Sequence, residues 1–152
     1  VKLNRKWKHY GLRTANADGT SYNGFAWPDR GIVECPDWSP VAKCGNGLHA
    51  LLNGEGVSSH LNWSMDARWQ LVGFDEYVDL GGKVKFSRCE VATGTREAVT
   101  AALKQLTGAA VHGVIATAGY CGTATAGDSG TATAGYCGTA TAGDRGTATA
   151  GY

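Results

Sequence analysis

Apolar and polar residues alternate in two stretches of this chain and follow a helical stripe in a third. Between Lys83 and Arg88 the apolar Val84 and Phe86 alternate with Lys83, Lys85 and Ser87, the pattern of a strand with one face covered. Asp79-Leu80 and Gly81-Gly82 ahead of it predict a turn between two strands. Trp69–Phe74 reads as another strand, and Leu12, Phe25 and Ile32-Val33 mark weaker ones. Ala98, Val99, Ala102, Leu103 and Leu106 form the apolar stripe of a helix running to about Leu106, with Thr95 as its N-cap and Gly108 as its stop. The remaining alternation is Thr-Ala-Thr-Ala, and it recurs.

From Val114 to Tyr152 one octapeptide is spelled almost without variation: Val114–Cys121, Gly122–Ser129, Gly130–Cys137, Gly138–Arg145 and a final Gly146–Tyr152. Self-similarity at a fixed period marks a stacked repeat architecture. The last two positions alternate between Tyr-Cys and Asp-Ser or Asp-Arg, so the full repeat is sixteen residues. Side chains alternate across a strand, which puts Thr123 and Thr125 on one face and Ala124 and Ala126 on the other. Thr131, Thr133, Thr139, Thr141, Thr147 and Thr149 repeat the Thr-x-Thr face strand by strand as a surface array. Residues sixteen apart would stack, forming an assembly ladder of Tyr120, Tyr136 and Tyr152, with Cys121 over Cys137 and Asp128 over Asp144. A disordered low-complexity tail is the competing reading, but strict alternation is more than disorder requires. The expected architecture is an α+β N-terminal domain over residues 1–110 followed by a short β-solenoid over 111–152. Each coil of that solenoid would hold about 16 residues in two strands, and the helix would cap its opening. The tract stops in mid-coil and Val1 is not a Met, so the expectation is a piece of a longer array or an end that meets another subunit.

Composition narrows the function classes. Five tryptophans in the first seventy residues supply a large apolar payload for a small core. The formal net charge is +1, with Lys2, Arg5, Lys6 and Lys8 crowded at the start as a solvated terminus. No nucleic-acid-binding module is visible, so nucleic acid is not an expected partner. No apolar run approaches membrane-spanning length, and no targeting segment is present in the sequence. Five cysteines is an odd number. The spacing Cys35-x8-Cys44-x4-His49 is no zinc signature, so buried thiols are expected and no metal or cofactor is implied. Cys121 and Cys137, if stacked, would be close enough for a disulfide.

Cys44-Gly45-Asn46-Gly47-Leu48-His49-Ala50, the strands and helix that follow, and the A-T-A-G octapeptides together resemble a family of phage and bacterial proteins of unassigned function. In that family a small domain with a C-x-x-G-[FL]-H-A motif precedes long tracts of such repeats. The octapeptide A-G-Y-C-G-T-A-T is also similar to the A-G-Y-G-S-T-x-T repeat of bacterial ice-nucleation proteins, whose coils are thought to hold sixteen residues. Here Gly replaces the Ser, and Asp enters alternate units.

The leading expectation is a non-enzymatic structural protein that self-associates through its repeat as a stalk, a fibre or a homo-oligomer. Thr and Ala supply hydroxyls but no base to activate them. A first alternative is an ADP-ribosyltransferase-like enzyme, or a degenerate relative, because Gly45–His49 loosely resembles the G-x-G-[IL]-Y segment of those enzymes. It would be centred on His49, with Ser58, Arg13 and Glu90 as nominated partners. A second alternative is ice binding by the Thr-x-Thr surface. Calcium binding by Asp128 and Asp144 lacks the G-G-x-G-x-D pattern of calcium solenoids.

Overall fold

The structure is a computed structural model that describes residues 1–151; Tyr152 lies outside the described residues. Seven strands form one antiparallel sheet: β1 (His9–Ala15), β2 (Arg30–Glu34), β3 (Leu48–Leu52), β4 (Arg68–Phe74), β5 (Val78–Asp79), β6 (Val84–Phe86) and β7 (Arg88–Gly94), in the order β2-β7-β4-β1-β3-β6-β5. β1 pairs with β4 along its whole length, from His9 opposite Phe74 to Ala15 opposite Arg68. Its other side is different: β3 is joined to β1 only through Gly11–Leu52 and Leu12–Leu51, and beyond those pairs the ladder ends. That half-open seam positions a cleft described below.

Strand alternation sends the side chains to two cores. Leu12, Leu51, Trp69 and Leu71 face one side of the sheet, where they meet Val99 and Leu103 of the helix α1 (Arg96–Thr107). Val33, Ala50, Val72, Phe74, Phe86 and Val91 face the other, under Trp27, with the Phe74 and Phe86 rings stacked at 4.2 Å. Each core side chain of this size contributes about 1.5–3 kcal/mol of transfer free energy.

The helix begins and ends as its sequence predicts. Thr95 Oγ1 accepts the Ala98 N–H at 3.2 Å, and Gly108 closes the helix in the left-handed region at φ 69°. Its inner face is narrower than the predicted stripe. Val99 and Leu103 are fully buried, whereas Ala98 and Leu106 are exposed. The predicted strand from Lys83 to Arg88 is two strands: Ser87 separates β6, which pairs with β3 and β5, from β7, which pairs with β2 and β4. Phe25 forms no strand; the nearby Ala26 makes an isolated bridge to Thr20.

The repeat contributes five strands, β8 (Ile115–Ala118), β9 (Thr123–Thr125), β10 (Thr131–Tyr136), β11 (Thr139–Thr141) and β12 (Thr147–Gly151). β12-β10-β8 make a three-stranded parallel sheet and β11-β9 a two-stranded one. Partners are offset by sixteen residues, as in Ile115–Thr131–Thr147 and Thr123–Thr139.

This corrects the expected α+β domain plus β-solenoid. The molecule is mostly β and antiparallel, with a single α-helix among the described residues, and its parallel sheets are small; no solenoid forms. The physical reason is that the covered side of the tract is continuous with the core beneath the large sheet. Ala116, Ala124, Ala126, Ala132 and Ala134 are buried because they extend the core built by Val99, Leu103, Val111 and Val114. Farther from that core the same positions lose cover: Ala140 and Ala142 are partly buried, and Ala148 and Ala150 are exposed. Local alternation in sequence registers a strand with an apolar face; it carries no information on what covers that face.

Two contacts lock the tract to the large sheet. Gly54, at φ +74°, lets the chain pass where a Cβ would lie 2.7 Å from Val111 Cγ1 and 2.8 Å from Leu103 Cδ2. Buried His112 donates from Nε2 to the Gly56 carbonyl at 2.8 Å and accepts the Asp128 backbone N–H on Nδ1 at 2.8 Å. Arg96 adds a bridge from the start of α1, donating to the carbonyls of Gly113 (3.2 Å) and Ser129 (2.7 Å).

Candidate functional site

Two surfaces carry features that packing alone does not require. The first is the outer face of the repeat. Thr117, Thr133 and Thr149 lie in one row across β8, β10 and β12, and all three are exposed. Thr131 and Thr147 form the neighbouring row, whose first position is taken by the exposed Ile115. On the smaller sheet Thr123 pairs with Thr139 and Thr125 with Thr141. Neighbouring strands are about 4.8 Å apart, so the hydroxyls form a regular grid.

At the edge of that face the Tyr120 and Tyr136 rings stack, with centroids 5.6 Å apart and planes inclined by 12°. Both rings are largely exposed. The third member of the proposed ladder, Tyr152, lies outside the described residues. Cys121 and Cys137 are exposed free thiols, both at positive φ. Asp128 is held by protein donors: its Oδ2 accepts the Ser58 hydroxyl at 2.9 Å and its Oδ1 accepts the Asp144 N–H at 2.8 Å. Burial raises the Asp128 pKa, but those hydrogen bonds together with nearby His112 and Arg145 outweigh it and hold the carboxyl below its ordinary range.

The second surface is a cleft of about 1130 Å³ that opens where the β1–β3 ladder ends. Arg13, His49, His60 and Lys83 line it, along with Phe25 and Trp27. Burial, then Lys83, Lys85 and Arg13, push the half-buried His49 down to about 4. His60 is lowered by burial and by Lys83. Lys85, 1% exposed, donates to the Gly45 carbonyl at 3.3 Å and faces the Trp38 ring. Its position in an alternating strand suggests a solvent-facing lysine, so its burial is not legible from the pattern.

Of the four residues nominated for catalysis, the cleft brings together Arg13 and His49. Ser58 is turned toward Asp128. Glu90 sits beside the N-terminal segment, accepting from Trp7 Nε1 at 2.8 Å and from the Asn4 N–H. Burial raises the Glu90 pKa, but these donors and Arg5 bring it net below the usual carboxylate range. Adjacent Cys89 belongs to the core on the Trp27 side, so alternation sends Glu90 to the face opposite that core.

The predicted buried thiols are mixed. Cys89 is buried and pushed up to about 12, chiefly by desolvation, whereas Cys44 is exposed and accepts from Lys83 Nζ at 3.0 Å. In the basic N-terminal segment Arg5 pairs with Asp75 at 3.3 Å and stacks on Trp7. Among the described residues no helix is long and apolar enough to cross a membrane.

Sheet order, register and the Thr grid define a mostly β repeat protein. Residues 9–104 match the family described as Domain of unknown function (DUF7666), and the chain belongs to that family. The chain is also similar to curated bacterial ice nucleation proteins. It is 39% identical over 90 residues to the ice nucleation protein of Pseudomonas fluorescens, covering 56% of this chain and 7% of the relative. To ice nucleation protein InaU of Pantoea ananas it is 39% identical over 84 residues, 53% of this chain and 8% of the relative. To the ice nucleation protein of Xanthomonas campestris pv. translucens it is 42% identical over 84 residues, 53% of this chain and 5% of the relative. The chain thus spans less than a tenth of the length of these curated relatives. No solved structure matches the chain.

Proposed function

We propose that this protein is a non-enzymatic structural component that self-associates through its repeat, with residues 1–110 acting as the domain that closes one end and presents a surface. The observation that carries this reading is β12. Thr147–Gly151 are all exposed, and Ala148 and Ala150 stand open at positions whose partners in β10, Ala132 and Ala134, are buried. This strand presents backbone groups and an apolar row that a further strand of the same periodicity would cover, and the reading proposed here is that a second chain supplies it. The stacked Tyr120 and Tyr136 rings offer a second contact of the same periodicity.

The test is a pair of charges on the open row. Ala148→Glu with Ala150→Glu alters two exposed side chains and is expected to leave the folded monomer's stability within about 0.5 kcal/mol. In sedimentation or light scattering the wild-type chain is expected to form dimers or larger species as concentration rises, and the double variant to remain monomeric. A wild-type chain that stays monomeric over the whole accessible concentration range overturns the reading.

The Thr grid supports a second reading, in which the repeat face orders water as ice. The exposed rows Thr117–Thr133–Thr149 and Thr123–Thr139 are regular, and the similar curated proteins are named for ice nucleation. Droplet-freezing and thermal-hysteresis measurements test it. The expected outcome is activity that grows with assembly size and falls on Thr133→Val with Thr149→Val; unaltered freezing at high protein concentration would exclude it.

A further inference from the structure

Arg13 is a buried guanidinium with no carboxylate beside it. It is 8% exposed, its face lies 3.5 Å from the Trp27 ring centre, and its Nη1 donates to Gln70 Oε1. Its Nε is buried without any hydrogen-bond partner. Asp37, on the same cleft, is engaged with Cys35 and Asn46, and Asp29 is paired with Arg68. A buried charge without a counter-charge is costly, and one left with an orphaned donor more so.

The position of this cation is informative. Arg13 follows directly on the last β1–β3 pair, Leu12–Leu51, and forms part of the wall of the cleft that begins there. With Nη1 committed to Gln70, the Nε–Nη2 edge remains, and that edge matches the two oxygens of a carboxylate or phosphate. Lys83 lines the same cleft, and Phe25, Trp27 and Leu61 give it apolar wall. A concave, largely apolar site with a few convergent polar groups is the usual form of a small-molecule pocket.

We propose that the cleft between β1 and β3 binds a small organic oxyanion, a carboxylate or phosphate ester on a planar apolar body, with Arg13 as its buried counter-charge and Lys83 as a second cationic contact. Desolvation drives the Arg13 pKa down to about 9, and the surrounding cations help depress His49; an anion entering the cleft relieves both. The inference is independent of self-association by the repeat, which uses other residues.

The experiment uses the full chain and three probes: inorganic phosphate, adenosine monophosphate and benzoate, with adenosine as the uncharged control. Calorimetry and thermal melts are expected to show one saturable site per chain for adenosine monophosphate or benzoate, weaker binding of inorganic phosphate, and none of adenosine. Which of the two organic anions binds assigns the phosphate or the carboxylate. The His49 ring resonances are expected to move on binding and to titrate at higher pH in the complex. Arg13→Lys keeps the charge but removes the fork and is expected to weaken binding about ten-fold. Lys83→Gln, at a less buried position, is expected to weaken it several-fold and keeps the test valid if Arg13→Lys folds poorly. The proposal is overturned if no anion shifts Tm or the His49 resonances at about 10 mM, the range of a Kd weaker than millimolar. It is equally overturned if adenosine binds as well as its monophosphate and benzoate does not bind, or if binding is unchanged in both variants.

Discussion

Cys121, Ser129, Cys137 and Arg145 all have φ between 53° and 59°, and none of them is glycine. A left-handed conformation costs an ordinary L-residue about 1–2 kcal/mol, while Asn visits it with little penalty. Ser129 engages its neighbours through its backbone, donating to Asp144 O and accepting from Arg96. Ser129→Asn is therefore expected to raise stability by about 0.5 kcal/mol, measured by urea unfolding. His49 gives a second prediction at this scale. Its pKa falls from the ordinary 6.5 to about 4, so the unfolded chain takes up a proton in that interval that the folded chain does not. Stability should be complete above pH 6.5, decline as pH falls from 6.5 to 4, and lose this contribution fully below 4. His60, also lowered, adds to the same slope. Denaturation midpoints across that range are expected to flatten in His49→Gln. Glu90 and Asp128, whose folded pKa values are depressed from 4.5 and 3.8, begin to lose their contributions below those ordinary values, so Glu90 overlaps the acid end of the His49 range and Asp128 follows it.

At the scale of elements, the helix was legible because its limits are local: Thr95 and Gly108 act on the turns beside them. Thr95→Ala is expected to cost about 1 kcal/mol in thermal unfolding. The break between β6 and β7 was not legible, because Ser87 turns the chain without a Gly or Pro and the alternation runs through it. The cleft was hidden for another reason. Arg13 and Lys83 are seventy residues apart, and only the short β1–β3 ladder makes them walls of one space. His112 was missed as well; nothing in its flanks signals that both ring nitrogens bridge the tract to the Gly54–Gly56 loop. His112→Ala leaves the Gly56 carbonyl and the Asp128 N–H without partners and is expected to cost about 2–3 kcal/mol. Amide exchange should show β8 and β10 losing protection before β4 and β7.

For the whole molecule, burial fades from the antiparallel sheet outward along the tract, from Ala116 and Ala132 to the open Ala148. Association on the open side adds binding free energy to folding, so the wild-type Tm is expected to rise with protein concentration, while that of Ala148→Glu with Ala150→Glu stays constant. The sequence displayed the sixteen-residue register and the Thr and Ala faces. Whether those strands would enclose an interior or lean on a neighbour depended on distant residues such as Val99 and Leu103. The register also limits how the gene can change length. Removing eight codons would slide β10 from the three-stranded sheet into the place of β9 and bring Tyr-Cys where Asp128-Ser129 must meet Ser58 and Arg96. Removing or duplicating sixteen would return every turn and ring to an equivalent seat. Viable length variants of this protein should therefore be spaced by sixteen codons, with the eight-codon intermediates lost to selection.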